Sequence, residues 1–139
     1  MPCGTPFGRA WTESHAGLLG SDYRSVLEHH SVAHVYNHWS YMPPLREQHQ
    51  RMEDCFTAPF IVLRLLTPLK MPYEAAKKRA EPYTKIVEGL PEMRRDTVEL
   101  VKKAVGEKRK TYVLVNNRSE GNAPLTIQAL GNALQAASP

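Results

Sequence analysis

The polar residues near the end of the chain form the group best suited to bind a ligand. Asn116, Asn117 and Arg118 directly follow an apolar run, and Asn122 stands where a helix is expected to begin. Asparagine amides donate and accept hydrogen bonds without charge, and arginine adds a positive charge, so the set suits hydroxyl or phosphate groups. Free N–H groups and the dipole of a helix beginning at Asn122 would also favour an anion.

The same residues have a structural explanation. Asparagine side chains often hydrogen-bond the backbone of their own loop, and every helix start needs a cap. Pro124 suits the first turn of a helix, where its missing N–H costs least. The sequence therefore leaves two explanations open for Asn116, Asn117 and Asn122, which are ligand binding and bonding within the protein.

Three earlier polar residues belong to the ends of other predicted strands. Glu13 and Asn37 end the first two strands, and Arg64 lies inside the apolar run 60–66. Because ligands in parallel α/β folds meet the carboxyl ends of the strands, we expect these residues to line one mouth with those near residue 116. A charge within an apolar strand must be paired or face a polar cavity. A buried ion pair between Arg64 and Glu13 is the alternative to a ligand site.

The six histidines give no clear metal or catalytic signature. Glu13, His15 and His38 could supply carboxylate and imidazole ligands if the first two strands are neighbours. However, no His-Glu-x-x-His motif and no Gly-x-Ser-x-Gly motif occurs, and these are the local patterns of zinc proteases and of serine hydrolases. We predict no metal site, and the sequence identifies neither a catalytic residue nor a cofactor.

Alternating strand and helix patterns position these residues. Strands are predicted at about 9–13, 32–37, 60–66 and 111–115, with the last two apolar enough to be covered on both faces. Helices are predicted at about 21–30, with Ser21 as the N-cap, and at 45–53. Three further helices are predicted to begin at residue 73, after Pro91 and at residue 122. This alternation predicts an α/β fold with right-handed crossovers and a parallel sheet.

The composition is that of one modest domain. The chain has 139 residues and a net charge of +4, and twelve of its eighteen Lys and Arg residues lie in 70–110 beside seven acidic residues. Interspersed signs are typical of solvated helix faces more than of a nucleic-acid surface. Two distant cysteines and the absence of a long apolar run indicate a cytoplasmic protein without a membrane span.

Three stretches of the sequence resemble one known family. They are Leu18-Leu-Gly-Ser-Asp-Tyr with the residues up to Leu45, Phe60-Ile-Val-Leu-Arg-Leu with Tyr73-Glu-Ala-Ala, and Val113-Leu-Val-Asn-Asn-Arg-Ser-Glu-Gly-Asn-Ala-Pro-Leu. The chain resembles the C-terminal part of the YecE-like family, known as domain of unknown function 72. The resemblance implies a TIM-type (β/α) barrel without an assigned reaction. The family's Glu-x-Arg-Asn pattern reads Glu13-Ser-His-Ala16 here, without the arginine and the asparagine.

The length fits only part of such a barrel. A complete eight-stranded barrel takes about 250 residues, whereas this chain shows four strand–helix units. We expect residues 1–12 to be a poorly matched segment and residues 13–139 to be the C-terminal portion of the barrel, as in a truncated or fragmentary protein. Open sheet edges would then favour self-association. A small self-contained open sheet is the alternative.

The preferred functional hypothesis is an enzyme or binding protein for a small polar or phosphorylated ligand at the strand ends. The first alternative is nucleic-acid binding through the lysines and arginines of 70–110. The second is an inactive fragment without an independent function.

Overall fold

The chain alternates strands and helices around one parallel sheet. The computed structural model describes the backbone of residues 9–12 and all of residues 17 and 19–137. The strands are β1 (Arg9–Thr12), β2 (Val32–His38), β3 (Phe60–Leu65) and β4 (Lys110–Val115). The helices are α1 (Ser21–His29), α2 (Leu45–Arg51), α3 (Tyr73–Ala80), α4 (Pro91–Gly106), α5 (Asn117–Glu120) and α6 (Ala123–Ala136).

The strands lie side by side in the order of the sequence, β1-β2-β3-β4, and each pair is parallel. In this register Asn37 is beside Arg64, and Arg64 is beside Leu114. The α/β class and the parallel sheet are therefore confirmed. Closure into a TIM-type barrel stays a prediction, as does the domain boundary at residue 13.

One hydrophobic core fills the space between the sheet and its helices. Alternate residues of the central strands supply its floor, including Tyr36, Leu63 and Leu65. The helices cover them with apolar stripes, such as Met93, Leu100 and Ala104 of α4 and Leu130 of α6. These stripes recur at three- and four-residue spacing, as expected for helices with one buried face.

The prediction that β3 and β4 are covered on both faces is wrong. Burial alternates along both strands, and Tyr112 and Leu114 of β4 are 52% and 53% exposed. The apolar runs that suggested full burial arise because the second face also carries apolar side chains, although no helix of the described chain covers β4 there. The second face of β4 thus has the apolar composition of a buried surface, although its side chains are exposed.

The ends of the elements also differ from prediction in two places. Gly20, and not Ser21, is the N-cap residue of α1. No periodic pattern indicated α5, because a four-residue helix is too short to show one. No helix in the described part of the chain is long and apolar enough to cross a membrane.

Candidate functional site

The carboxyl ends of β2, β3 and β4 meet at one edge of the sheet. Leu66 and Thr67 donate their backbone N–H groups to the carbonyl of His38, at 3.0 and 3.2 Å. Asn116 donates its N–H to the carbonyl of Leu65 at 2.8 Å. These bonds extend the strand pairing past the last strand residues, so the loops that follow β2, β3 and β4 start from a fixed frame.

A cavity of about 250 Å³ opens beside the end of β4. Its lining comes from the end of that strand, from α5, from the start of α6 and from the segment after α3, and consists of Tyr83, Val115, Asn116, Asn117, Arg118 and Ala123. The cavity contains three of the residues singled out from the sequence, Asn116, Asn117 and Arg118. Its described lining holds no carboxylate, histidine or cysteine.

The two asparagines use their side-chain oxygens to shape the loop. The Oδ1 atom of Asn116 accepts the backbone N–H of Arg118 at 2.9 Å and so caps α5. The Oδ1 atom of Asn117 accepts the N–H of Ala123 at 2.8 Å. Within the described chain neither Nδ2 group donates a hydrogen bond. The structural explanation therefore accounts for the oxygens only and leaves ligand binding by the amide N–H groups as a prediction.

The first turn of α6 has little to offer an anion. Asn122 caps the helix by accepting the N–H of Leu125 at 3.0 Å, and its Nδ2 group donates to the carbonyl of Tyr83 at 2.8 Å. Pro124 has no N–H, and that of Ala123 is taken by Asn117. Positive charge at this cavity therefore comes from Arg118 and not from free backbone N–H groups.

Arg118 is held over the cavity by an aromatic ring and by an amide. Its guanidinium carbon lies 4.5 Å from the ring centroid of Tyr73, a cation–π distance, and its Nη1 atom lies 3.4 Å from Oδ1 of Asn116. The Nε–H group is buried and has no hydrogen-bond partner among the described residues. A buried donor without a partner is costly, typically about 1–3 kcal/mol, so the contacts with Tyr73 and Asn116 have to offset this cost.

The other residues selected from the sequence lie apart from this cavity. Arg64 is half-buried on the sheet face opposite the helices and does not line the cavity. Asn37 is buried in β2, where its backbone N–H and carbonyl are bound by the side chain of Gln48 at 3.3 and 2.7 Å. Glu13 and His15 lie outside the described residues, so the proposed pair with Arg64 stays a prediction.

A buried carboxylate that the sequence did not reveal anchors the loop next to the cavity. Glu120 is 0% exposed and forms a salt bridge with Arg94 of α4 at 2.9 Å. It also accepts the backbone N–H of Leu90 at 2.5 Å and the hydroxyl of Thr126 at 2.7 Å. Arg94 is far from Glu120 in sequence, so no local spacing could have indicated the pair. The only sequence signal was an acid placed immediately before a loop glycine.

The surroundings of Glu120 favour its charged form. Burial by itself raises the pKa of this carboxyl, but the hydrogen bonds from Arg94, Thr126 and Leu90 outweigh it and hold the pKa below its usual range. An ionised Glu120 ties α5 to α4 and to α6. It therefore fixes the loop that carries Asn116, Asn117 and Arg118.

A second set of buried polar groups lies on the helix side of the sheet. The Tyr36 hydroxyl is 2.8 Å from Nδ1 of His49, and the ammonium of Lys103 is 2.8 Å from Nε2 of the same ring. His34 is paired through Nδ1 with the hydroxyl of Tyr23 at 3.0 Å. Burial lowers the pKa of His34 to about 4, and burial together with Lys103 lowers the pKa of His49 to about 4. Both imidazoles are therefore neutral at pH 7.

The histidines do not assemble a metal centre within the described chain. No group of three or more His, Cys, Asp or Glu side chains there is arranged to hold a metal ion. His38 is buried, with Nδ1 2.9 Å from the carbonyl of Thr67, and burial lowers its pKa. Its two supposed partners, Glu13 and His15, belong to the undescribed segment.

Comparison with known protein families places this chain. Residues 9–139 match the family described as "Protein of unknown function DUF72". The chain belongs to the DUF72 family. Neither a curated protein nor a solved structure matches it significantly. The resemblance seen in the three sequence stretches is thus confirmed over most of the chain, and the family itself carries no assigned reaction.

Four of the twelve basic residues between 70 and 110 of this DUF72 chain form salt bridges, and all four are arginines. Arg79 contacts Glu88 and Arg109 contacts Glu107, at 2.6 and 3.1 Å, in addition to the Arg94 salt bridge. Paired charges reduce the positive potential that a phosphate backbone would meet. The structure offers no specific support for nucleic-acid binding, which stays a prediction.

Gly121 is the residue of this loop that tolerates a side chain least. Its φ of 123° is unfavourable for other residues, and a Cβ atom would lie 2.3 Å from the carbonyl oxygen of Lys85 and 2.8 Å from the N–H nitrogen of Val87. We expect Gly121→Ala to lower the free energy of unfolding by about 3 kcal/mol, from backbone strain and steric overlap together. Urea denaturation followed by circular dichroism measures this change.

The matched control is Gly106→Ala, at the end of α4. No atom lies within 4 Å of the added Cβ there. This substitution is expected to be neutral or to stabilise by up to about 1 kcal/mol, because alanine favours helix. Equal effects of the two substitutions would contradict the close packing of residues 85–87 against Gly121.

Proposed function

We propose that this DUF72 chain binds a small, polar, phosphorylated ligand in the cavity beside the end of β4. The observation that carries the proposal is the position of Arg118, which lines the cavity and whose guanidinium is oriented by Tyr73 and Asn116. A phosphate oxygen is the acceptor that best satisfies an arginine of this kind, because a charge-assisted hydrogen bond is roughly twice as strong as a neutral one.

The donors around the cavity support the same ligand class. The Nδ2 groups of Asn116 and Asn117 would donate to further phosphate or hydroxyl oxygens. The cavity of about 250 Å³ lies just below the range of about 300–1,000 Å³ typical of small-molecule sites. This size suits a phosphate with a small polar group attached.

The position of the cavity agrees with the general behaviour of parallel sheets, whose ligands lie outside the carboxyl ends of the strands. In the TIM-type barrel that we propose for the complete fold, Arg64, Asn37 and Glu13 would belong to the same mouth. They would extend the site from Arg118 toward β2 and β1.

The proposal is one of binding and not of catalysis. The described lining supplies donors and a positive charge, but no carboxylate, imidazole or thiol that could act as a general base or nucleophile. A reaction at this site would therefore need a group contributed by the ligand, by a cofactor or by another part of the mouth.

Thermal unfolding with added ligand tests the proposal. Inorganic phosphate and a hexose phosphate are each titrated against the purified full chain, with sulfate-free chloride buffer at equal ionic strength as the reference. Saturation to a hundred times Kd adds about 2.7 kcal/mol to the free energy of unfolding. We expect a concentration-dependent rise in Tm with at least one of the two.

Two variants separate the site from a general charge effect. Arg118→Gln is expected to weaken binding at least about tenfold, since it removes the charged donor. Lys102→Gln removes an equal charge from an exposed position on α4 and is expected to bind like the natural sequence. No stabilisation of the natural sequence, or equal losses in both variants, would refute the proposal.

A further inference from the structure

Each new strand of this sheet is added on the same side of the one before it. Its strand order follows the sequence, β1-β2-β3-β4, with every pair parallel. The core formed by Tyr36, Leu63 and Leu65 is shared with α2, α4 and α6, so these helices lie on one face of the sheet. A singly wound parallel sheet with helices on one face has the topology of strands that close into a barrel.

The opposite face has the character of a barrel interior that is buried along β2 and still open along β4. Arg64 and Leu114 lie beside each other there, as do Val62 and Tyr112. Tyr112 and Leu114 are more than half exposed. Parallel sheets are normally covered on both faces, so the exposed apolar side chains of β4 favour a partner on this part of the sheet.

The two edges of the sheet match each other in direction. β1 is at one edge and β4 at the other, and neither has a second strand partner among the described residues. A second copy rotated by a two-fold axis along the strands would bring its β1 beside β4 parallel to it, and the reverse pair would form at the other seam. Two sets of four strands give the eight strands of a closed barrel.

The helix layer shows exposed apolar residues at the same two ends. α1 packs on β2 near one edge, and α6 packs on β4 near the other. Val26 of α1 is 59% exposed and Ile127 of α6 is 53% exposed, together with Leu125. Closing the strand seam would bring α6 of one copy toward α1 of the other, and would cover apolar surface in both layers.

We propose that two copies of this chain associate, β4 of each against β1 of the other, to close an eight-stranded parallel barrel. The second copy is favoured over an unrelated partner because it supplies at once four further strands, their parallel direction and the helices that cover them. The assembly would bring both cavities beside β4 to one mouth. It does not depend on the ligand proposed for them.

Sedimentation equilibrium of the full chain tests this assembly. The expected species has twice the 15.7 kDa mass of the single chain. Leu114→Lys, which places a charge in the closed interior, is expected to raise the dimer dissociation constant by more than about a hundredfold, given the cost of burying an unpaired charge. Circular dichroism checks that the variant keeps its helices.

Val105→Lys is the control, because Val105 is 60% exposed on α4, away from both seams. This variant is expected to remain dimeric. Amide hydrogen exchange gives a second readout, in which the N–H groups of Thr111, Val113 and Val115, which point away from β3, are protected in the natural sequence and lose protection in Leu114→Lys. A monomer at every concentration, growth beyond the dimer, or a dimer unaffected by Leu114→Lys would overturn the proposal.

Discussion

Replacing Glu120 with glutamine is expected to lower the free energy of unfolding by about 3 kcal/mol, because it breaks a buried ion pair. Every group that faces the carboxylate is a donor. Leu90 N–H and Arg94 Nε–H donate to Oε2, at 2.5 and 2.9 Å, while Thr126 Oγ1 and Arg94 Nη2 donate to Oε1, at 2.7 and 2.9 Å. A glutamine must turn its own NH₂ group toward one of these sets, which leaves buried donors facing each other.

The control for Glu120→Gln is Glu47→Gln on α2. Glu47 also pairs with an arginine, Arg51, at 2.7 Å, but both side chains are well exposed. Exposed pairs of this kind contribute about 0.5 kcal/mol or less. Urea denaturation of the two variants at pH 7 measures the contrast. A loss below about 1 kcal/mol for Glu120→Gln would show that the buried network does not hold α5 in place.

The stability of the protein is expected to fall by about 4 kcal/mol between pH 7 and pH 5. The pKa of His34 and the pKa of His49 are both lowered to about 4 in the folded chain, from 6.5 for a free imidazole. The unfolded chain therefore binds protons in this window while the folded chain does not, and stability rises with pH. Each imidazole contributes about 2 kcal/mol to the fall, by proton linkage.

Denaturation with urea at a series of pH values measures this dependence. His49→Gln and His34→Gln are each expected to remove about 2 kcal/mol of the fall, since each deletes one proton-binding group, while His38, whose pKa is also lowered by burial, adds to the slope in both variants. Glu120 affects the free energy of unfolding only at lower pH. Because its pKa is lowered in the folded chain, its contribution to stability is lost only as the pH falls below about 4.5. A flat profile between pH 7 and pH 5 would contradict the burial of the two imidazoles.

The sequence predicted the strands well because they carry their own signal. β3 and β4 are runs of β-branched and aromatic residues ended by polar ones, so their existence and their parallel arrangement followed from pattern and alternation. The helices do not bury all of their apolar residues. Val26 and Ile127 are exposed because they lie on the end helices of the layer, which have no neighbouring helix on one side among the described residues.

The candidate site, too, was predictable from the sequence only in part. The grouping of Asn116, Asn117 and Arg118 was visible because the three are consecutive and follow a strand. Their individual roles were not visible, since those depend on Tyr73, Tyr83 and Ala123, which other elements bring to the cavity. Hydrogen bonding with the backbone then decided which atoms of the asparagines are already in use.

By itself, the sequence determined that this chain alternates parallel strands with helices, and that its last strand ends in amides and an arginine. These are local properties of composition and spacing. The tertiary structure alone decided that Glu120 is a buried ionised anchor, that His34 and His49 are neutral, and that β4 is exposed on one face. Each of these depends on desolvation and on partners brought together from distant parts of the chain, which no local pattern records.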